Sequence, residues 1–339
     1  MQRRAPVCHW LCVLLSLAVF AGCRPASPSV VVYCSRDQLY AEPVLNAFER
    51  ETGIRVEAIY DTGATKTVGL TNRLLEERNH PRADVFWSSD TGRTVVLQQA
   101  GILAPFQSPG AESIPVAFRD PDGYWTGFSA RARVIIYNTD LVPADQAPRS
   151  IFELSDERWR GQVALGTPYL GTMASHHTAL YLALGRDAAL TWLSDLIAND
   201  ARIVVGNTAV RDIVSQGAMA VGVIDTSDAF EAMADGLPVD IVYPDQDGIG
   251  AMLIPNTIAL IAGGHHPDEG RRFVDYMLRP ETEAVLAASR SAQIPLHPGV
   301  PVPEGVRSLD QIRAMSVDFA AIGQAMDGVC AELAELVLQ

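Results

Sequence analysis

Ile54-Arg55-Val56-Glu57-Ala58-Ile59-Tyr60, continued by Asp61-Thr62-Gly63-Ala64-Thr65-Lys66-Thr67-Val68-Gly69-Leu70, is the stretch from which the architecture follows. Its first half alternates in polarity, the period of a half-buried strand. Its second half is a polar, glycine-bearing loop that runs into a helix read over 68–78. Upstream, 30–33 is a short apolar strand, and 40–51 repeats Val44, Leu45 and Phe48 at helical spacing until Gly53 stops it. Strand, helix, strand is the unit of an open α/β sheet. Downstream, Ala83-Asp84-Val85-Phe86-Trp87 reads as a third, buried strand and 93–100 as a helix. Three strand ends therefore bring polar residues to one edge: Ser35, Arg36 and Asp37; then Thr62, Thr65, Lys66 and Thr67; then Ser88, Ser89 and Asp90. Ligands of open α/β sheets bind outside the carboxyl ends of the strands, so these loops are expected to converge on one. Lys66 is the only lysine, against twenty-five arginines. A compact ammonium is expected there, where a forked guanidinium would not fit.

From 127 to 137 the pattern alternates again, with Arg131 and Arg133 interleaved with Val134, Ile135 and Ile136; this reads as the crossing into a second lobe. There the chain offers a strand near 159–165, a loop at 167–172, helices over 173–184 and 190–197, a strand at 203–205 and a helix start at Asn207-Thr208. A strand at 221–224 ends in Asp225-Thr226-Ser227-Asp228, where Asp, Thr and Ser suit a helix cap as well as a ligand. The segment 239–243, a turn-rich link at 245–250, a strand over 251–261, a helix over 268–278 and a helical tail from Gly305 complete the reading.

The N-terminus reads as an address. Arg3 and Arg4 precede an apolar segment over 10–20, and Ala21-Gly22-Cys23 follows. That is the layout of an export signal and is too short to span a bilayer. Val19-Phe20-Ala21-Gly22-Cys23 resembles the bacterial lipobox, which implies a lipoprotein signal peptide over 1–22, lipidation of Cys23 and a polar tether over 23–29. Loss of 1–22 removes two arginines and no acid, taking the formal charge from -14 to -16. So acidic a body argues against nucleic acid as a partner. Cys34 and Cys330 are then the thiols left to pair, and no zinc spacing is present. The adjacent pairs His176-His177 and His265-His266 lack the i, i+4 geometry of a metal helix and read as packed or solvated histidines.

Several segments together resemble the extracytoplasmic solute-binding proteins of ABC importers, in their ferric-iron-type branch. They are Val32-Tyr33, Ala47-Phe48-Glu49-Arg50-Glu51-Thr52-Gly53-Ile54, Ala83-Asp84-Val85-Phe86, Ala132-Arg133-Val134-Ile135-Ile136-Tyr137-Asn138-Thr139, Arg271-Arg272-Phe273-Val274-Asp275-Tyr276-Met277-Leu278 and Pro295-Leu296-His297-Pro298. The resemblance implies an α/β protein of the two-lobed periplasmic-binding-protein type II fold, each lobe a mixed sheet flanked by helices, with a hinge between them. Lobe 1 is expected over 30–129 and 251–298, lobe 2 over 130–250 and 299–339, and the hinge near Ala130 and Gly250. It also implies a monomeric, lipid-anchored receptor on the exported side of a membrane, without cofactor or turnover, that hands a small molecule to an ABC permease.

Iron binders of this branch carry a His or acid after the first strand, a Glu after the Asp-Val-Phe strand and two adjacent tyrosines in the second lobe. Here those places hold Asp37, Ser89 beside Asp90, and Ser227-Asp228. A serine hydroxyl is a far weaker ferric ligand than a phenolate, so the reading moves away from naked iron. The family's place for a bound anion is partly kept: Gly171-Thr172 and Asn207-Thr208 open helices whose N–H groups attract phosphate or carboxylate. Asp37, Asp90, Asp225 and Asp228 would face a cationic or hydroxyl-rich part of the guest. The expected ligand is a small anionic or zwitterionic solute of phosphonate or organophosphate type. Ferric iron held by substitutes such as Tyr60 or Tyr169, and a secreted metal-dependent hydrolase, stay open as alternatives. Against a serine hydrolase, Gly127-Phe128-Ser129-Ala130-Arg131 fails the Gly-x-Ser-x-Gly pattern at its last place.

Overall fold

The computed structural model describes residues 27–61 and 68–338. In chain order its strands and helices are β1 (Ser29–Cys34), α1 (Gln38–Thr52), β2 (Arg55–Tyr60), α2 (Val68–Glu76), β3 (Val85–Ser88), α3 (Thr91–Gln99), β4 (Leu103–Ala104), β5 (Thr126–Asn138), β6 (Val163–Gly166), α4 (Gly171–Leu184), α5 (Arg186–Ala198), β7 (Arg202–Val204), α6 (Gly206–Ser215), β8 (Val221–Asp225), α7 (Thr226–Ala234), β9 (Val239–Val242), β10 (Leu253–Ile261), α8 (Pro267–Met277), α9 (Pro280–Ala287) and α10 (Phe319–Leu338).

The strands run in the order β2-β1-β3-β10-β5-β8-β6-β7, with β4 beside β10 and β9 beside β5. β5 organises this arrangement, for it belongs to two sheets. Its first half, up to Ala132, pairs antiparallel with β10, and its second half, from Arg133, pairs antiparallel with β8 and β9. All thirteen of its residues are buried, so the strand is covered on both sides through its whole length. β1 pairs in parallel with β2 and β3, and β6 in parallel with β7 and β8. Parallel strands put their carboxyl ends on one edge. Cys34 and Ser88 end strands in the first sheet, Gly166 and Asp225 in the second, and the loops after them meet between the sheets.

Local chemistry explains the boundaries. Gly53 ends α1 in the left-handed region at φ 71°, where its N–H returns to Glu49. The junction between the sheets is held by polar groups. Ser129 is a non-glycine residue at φ 48°, and its N–H donates to Glu283 Oε1 while its carbonyl accepts from the Asn256 amide. The pairing of β5 with β10 slips by a residue between Pro255 and Asn256, opposite that point.

Two expectations change here. The tail is not helical from Gly305: α10 begins at Phe319, and the segment before it pairs with Ala251, whose N–H donates to Arg313 and whose carbonyl accepts from Met315. Those bonds to a neighbouring segment take backbone groups that a helix would need. Gly250 lets this contact form, because a Cβ there would stand 2.5 Å from the Arg313 carbonyl. Cys34 and Cys330 are not joined to each other, so the pairing left open by the sequence does not occur. Trp87 fills the core, tilted against Phe128 at 5.7 Å between ring centres. Among the described residues no helix is long and apolar enough to cross a membrane.

Candidate functional site

A cavity of about 660 Å³ opens between the two sheets. From the first side its wall is made by Arg36, Asp37, Leu39 and Tyr40 at the start of α1, and by Ser89 after β3. From the second it is made by the starts of α4, α6 and α7, which contribute Gly171, Thr172 and Met173; Gly206, Asn207 and Thr208; and Ser227, Asp228 and Glu231. Arg131 and Asp225, on β5 and β8, line it from below. This size suits an organic solute of modest mass and exceeds what a bare ion needs.

The floor is an ion cluster. Asp225 accepts from Arg133 at 2.7 Å, Thr172 at 3.1 Å and Arg131 at 3.3 Å. Arg131 also donates to Asn256 and to the Ser89 carbonyl, and Arg133 to Asn207 and the Val223 carbonyl. Burial by itself would raise the pKa of Asp225, but the charges of Arg133 and Arg131 outweigh it and hold the carboxyl below its ordinary value. Asp225 stands at the N-cap position of α7, yet its side chain is spent on the arginines and makes no cap bond.

Arg36 is different. Its side chain is 5% exposed, and its Nε and Nη2 have no hydrogen-bond partner. Burial, reinforced by the charge of Arg131 and opposed by Asp37, Asp228 and Glu231, lowers its pKa. A guanidinium presents its donors as a fork that fits a carboxylate or phosphate in two parallel bonds. α4 and α6 begin in the same cavity at Gly171 (φ 55°) and Gly206 (φ 78°), and neither has a side-chain cap. The first N–H groups of a helix lack partners within it, so both starts offer donors to an anion.

The mouth carries acids that already have partners. Glu231 accepts from the Tyr40 hydroxyl at 2.6 Å through one oxygen and from Arg211 at 3.2 Å through the other. Asp228 accepts from the Asn207 amide at 3.3 Å. Burial and the bond to Glu231 push the Tyr40 phenol well above its ordinary pKa, so it stays protonated. Among the described residues no group of three or more His, Cys, Asp or Glu is arranged to hold a metal ion.

The residues singled out from sequence fall into three sets. Arg36, Asp37, Ser89, Gly171, Thr172, Asn207, Asp225, Ser227 and Asp228 line the one cavity. Ser35, Ser88 and Asp90 lie behind its wall. The Ser35 hydroxyl accepts from the Ser89 N–H at 2.8 Å, Ser88 bonds to the Asp90 backbone, and Asp90 caps α3 by accepting from the Arg93 N–H. Thr62, Thr65, Lys66, Thr67 and Cys23 lie outside the described residues. Sequence reasoning missed Tyr40, Arg131, Arg133, Arg211 and Glu231 as parts of this site. The signal for two of them was present: arginines alternating through an otherwise apolar strand must find buried partners.

Comparison with known proteins agrees with this architecture. Residues 81–321 match the family described as bacterial extracellular solute-binding protein, and the chain belongs to that family. Iron uptake protein A1 of Synechocystis is 28% identical over 306 residues, covering 87% of this chain and 81% of that protein. A Salmonella paratyphi A periplasmic protein named for 2-aminoethylphosphonate binding is 25% identical over 332 residues, covering 93% and 90%. Iron-bound HitA from Pseudomonas aeruginosa superposes with a TM-score of 0.81 at 21% identity, covering 90% of this chain and 99% of that one. The fold is the two-lobed α/β fold of periplasmic binding proteins. The protein is a solute-binding component of an ABC importer, a binder and not an enzyme.

Proposed function

We propose that this protein captures a small anionic or zwitterionic solute carrying a phosphonate or phosphate group and delivers it to its permease. The observation that carries this reading is the buried, unpartnered fork of Arg36, opening on the same cavity as the uncapped starts of α4 and α6. Asp37, Asp228 and Glu231 lend Arg36 nearby negative charge, but its buried Nε and Nη2 donors bond to none of them, and unmet buried donors are costly; a ligand oxyanion would satisfy them. The relative named for 2-aminoethylphosphonate binding supports the same class. In this reading lobe 1 comprises 30–129 and 251–298, lobe 2 comprises 130–250 and 299–339, and they close about Ala130 and Gly250. Cleavage before Cys23 and its lipidation would anchor the protein outside the cytoplasm, with 23–29 as tether.

Ferric iron is the second reading, favoured by the relatives that bear iron in their names. Against it, Arg36 places a fixed positive charge in the cavity, and Tyr40 spends its hydroxyl on Glu231. Thermal unfolding of the mature protein with 2-aminoethylphosphonate, hexose phosphates, inorganic phosphate and ferric citrate separates the two. A ligand bound only by the folded state raises the midpoint. A rise with a phosphorus compound alone supports the proposal, and a rise with ferric citrate alone sinks it.

A further inference from the structure

Tyr40 joins two features of the cleft that lie on different elements. On one side the Arg36 guanidinium carbon sits 4.9 Å from the centre of its ring. On the other its hydroxyl donates to Glu231 on α7, 191 positions along the chain. Arg211 holds the second oxygen of that carboxylate, so Glu231 is fixed before Tyr40 reaches it. The phenol is a rigid rod with one donor at its end, so its bond to Glu231 is sensitive to the separation of α1 from α7.

We propose that Tyr40 is the positioning residue that ties anion capture to closure of the cleft, its ring backing the Arg36 guanidinium while its hydroxyl latches to Glu231. The inference rests on the proposed anion reading for its first half and on the lobe arrangement for its second. An anion on Arg36 fixes the guanidinium plane, the stacked ring is held with it, and the hydroxyl is aimed at Glu231. The latch in turn raises the population of the closed arrangement, and apparent affinity scales with the binding-competent fraction. Of the other side-chain bonds between the two sides, Ser175 to Asp90 is buried behind the cavity wall and does not touch Tyr40 or Arg36, and Arg290 to Asp235 joins half-exposed groups, where solvent screening makes a pair weak.

The test starts without ligand. Spin labels at the exposed positions Val116 and Leu141, in a Cys330→Ser background, report the distance between the two sides. Tyr40→Phe keeps the ring and removes the donor; it is expected to lengthen the mean distance. Glu231→Gln should do the same, the double variant should add nothing further, and Arg290→Ala should leave the distance unchanged. With 2-aminoethylphosphonate and glucose 6-phosphate as probes, stopped-flow binding to Tyr40→Phe should show dissociation roughly fivefold faster at unchanged association, the scale of one hydrogen bond. Tyr40→Phe with the parent's distance distribution overturns the latch. If the parent binds neither probe, the anion reading fails while the distance measurement still decides the latch.

Discussion

Ser175 on α4 places its hydroxyl 2.8 and 2.9 Å from the two carboxylate oxygens of Asp90, which begins α3 on the other side of the cleft. Both residues are buried, and burial raises the pKa of Asp90 despite the opposing effects of Ser175 and Arg93. The folded state therefore holds the proton over a window that opens at the ordinary value of 3.8 and extends upward. Stability from this group falls as pH rises through that window, the reverse of an ion-paired acid. Asp90→Asn keeps an N-cap of comparable quality and removes the charge. It should match or exceed the parent in stability at pH 7, with the difference shrinking toward pH 4 in urea titrations. A loss above about 2 kcal/mol at pH 7 would show that the ionised carboxylate is required.

Asp225 carries the opposite sign. Its pKa is held below 3.8 by Arg133 and Arg131 against the effect of burial, so its contribution is present above that value and lost as pH falls through the folded one. Asp225→Asn leaves two buried guanidinium groups short of a counter-charge, and the expected loss is about 3–5 kcal/mol at pH 7. Chemical denaturation of the ligand-free protein measures it. A variant as stable as the parent would make Asp225 a ligand contact instead of the keystone of the floor.

What the sequence disclosed depends on the length scale of the physics. The strand, helix, strand opening and the loops at strand ends were legible because alternation and helical spacing are local, and because the edge where ligands sit follows from parallel topology. Arg36 was placed at that edge, but its unpartnered fork is a property of three-dimensional burial. Arg131 and Arg133 were assigned to a strand, yet nothing local said that Asp225 lay opposite them, more than ninety positions away. Tyr40 and Glu231 meet only through the fold. The residues after Gly305 were read as helix because composition does not reveal that Ala251 takes their backbone bonds.

Arg36 sets stability against function. A buried cation with free donors costs folding energy that the bound anion offsets, so Arg36→Met should raise ligand-free stability by about 1–2 kcal/mol. The same change should weaken binding of a phosphonate or phosphate ester by about a hundredfold, the cost of removing one partner of a buried charge pair. Calorimetric titration and thermal unfolding of one preparation check both. Loss of stability with unchanged binding would mean that Arg36 is packing and not a ligand group.

His177 contributes to the acid limb of stability. Its Nδ1 lies 3.0 Å from the Met173 carbonyl and donates to it, which leaves Nε2 as a buried acceptor without a partner. Burial lowers its pKa from 6.5 to about 4, the Met173 bond opposing and the Arg133 charge assisting. The unfolded chain thus takes this proton first on acidification: stability from neutral His177 is whole above about pH 6.5 and drains away as pH falls toward 4, by about 3 kcal/mol in full. His176 is displaced in the same direction and stays in place as a common background. His177→Phe keeps an aromatic ring beside Trp192, now 5.4 Å between centres, and cannot take a proton. Unfolding free energies at half-unit steps from pH 7 to pH 4 should fall less steeply for His177→Phe than for the parent. Parallel curves would locate the acid sensitivity elsewhere, with His176 the next residue to replace.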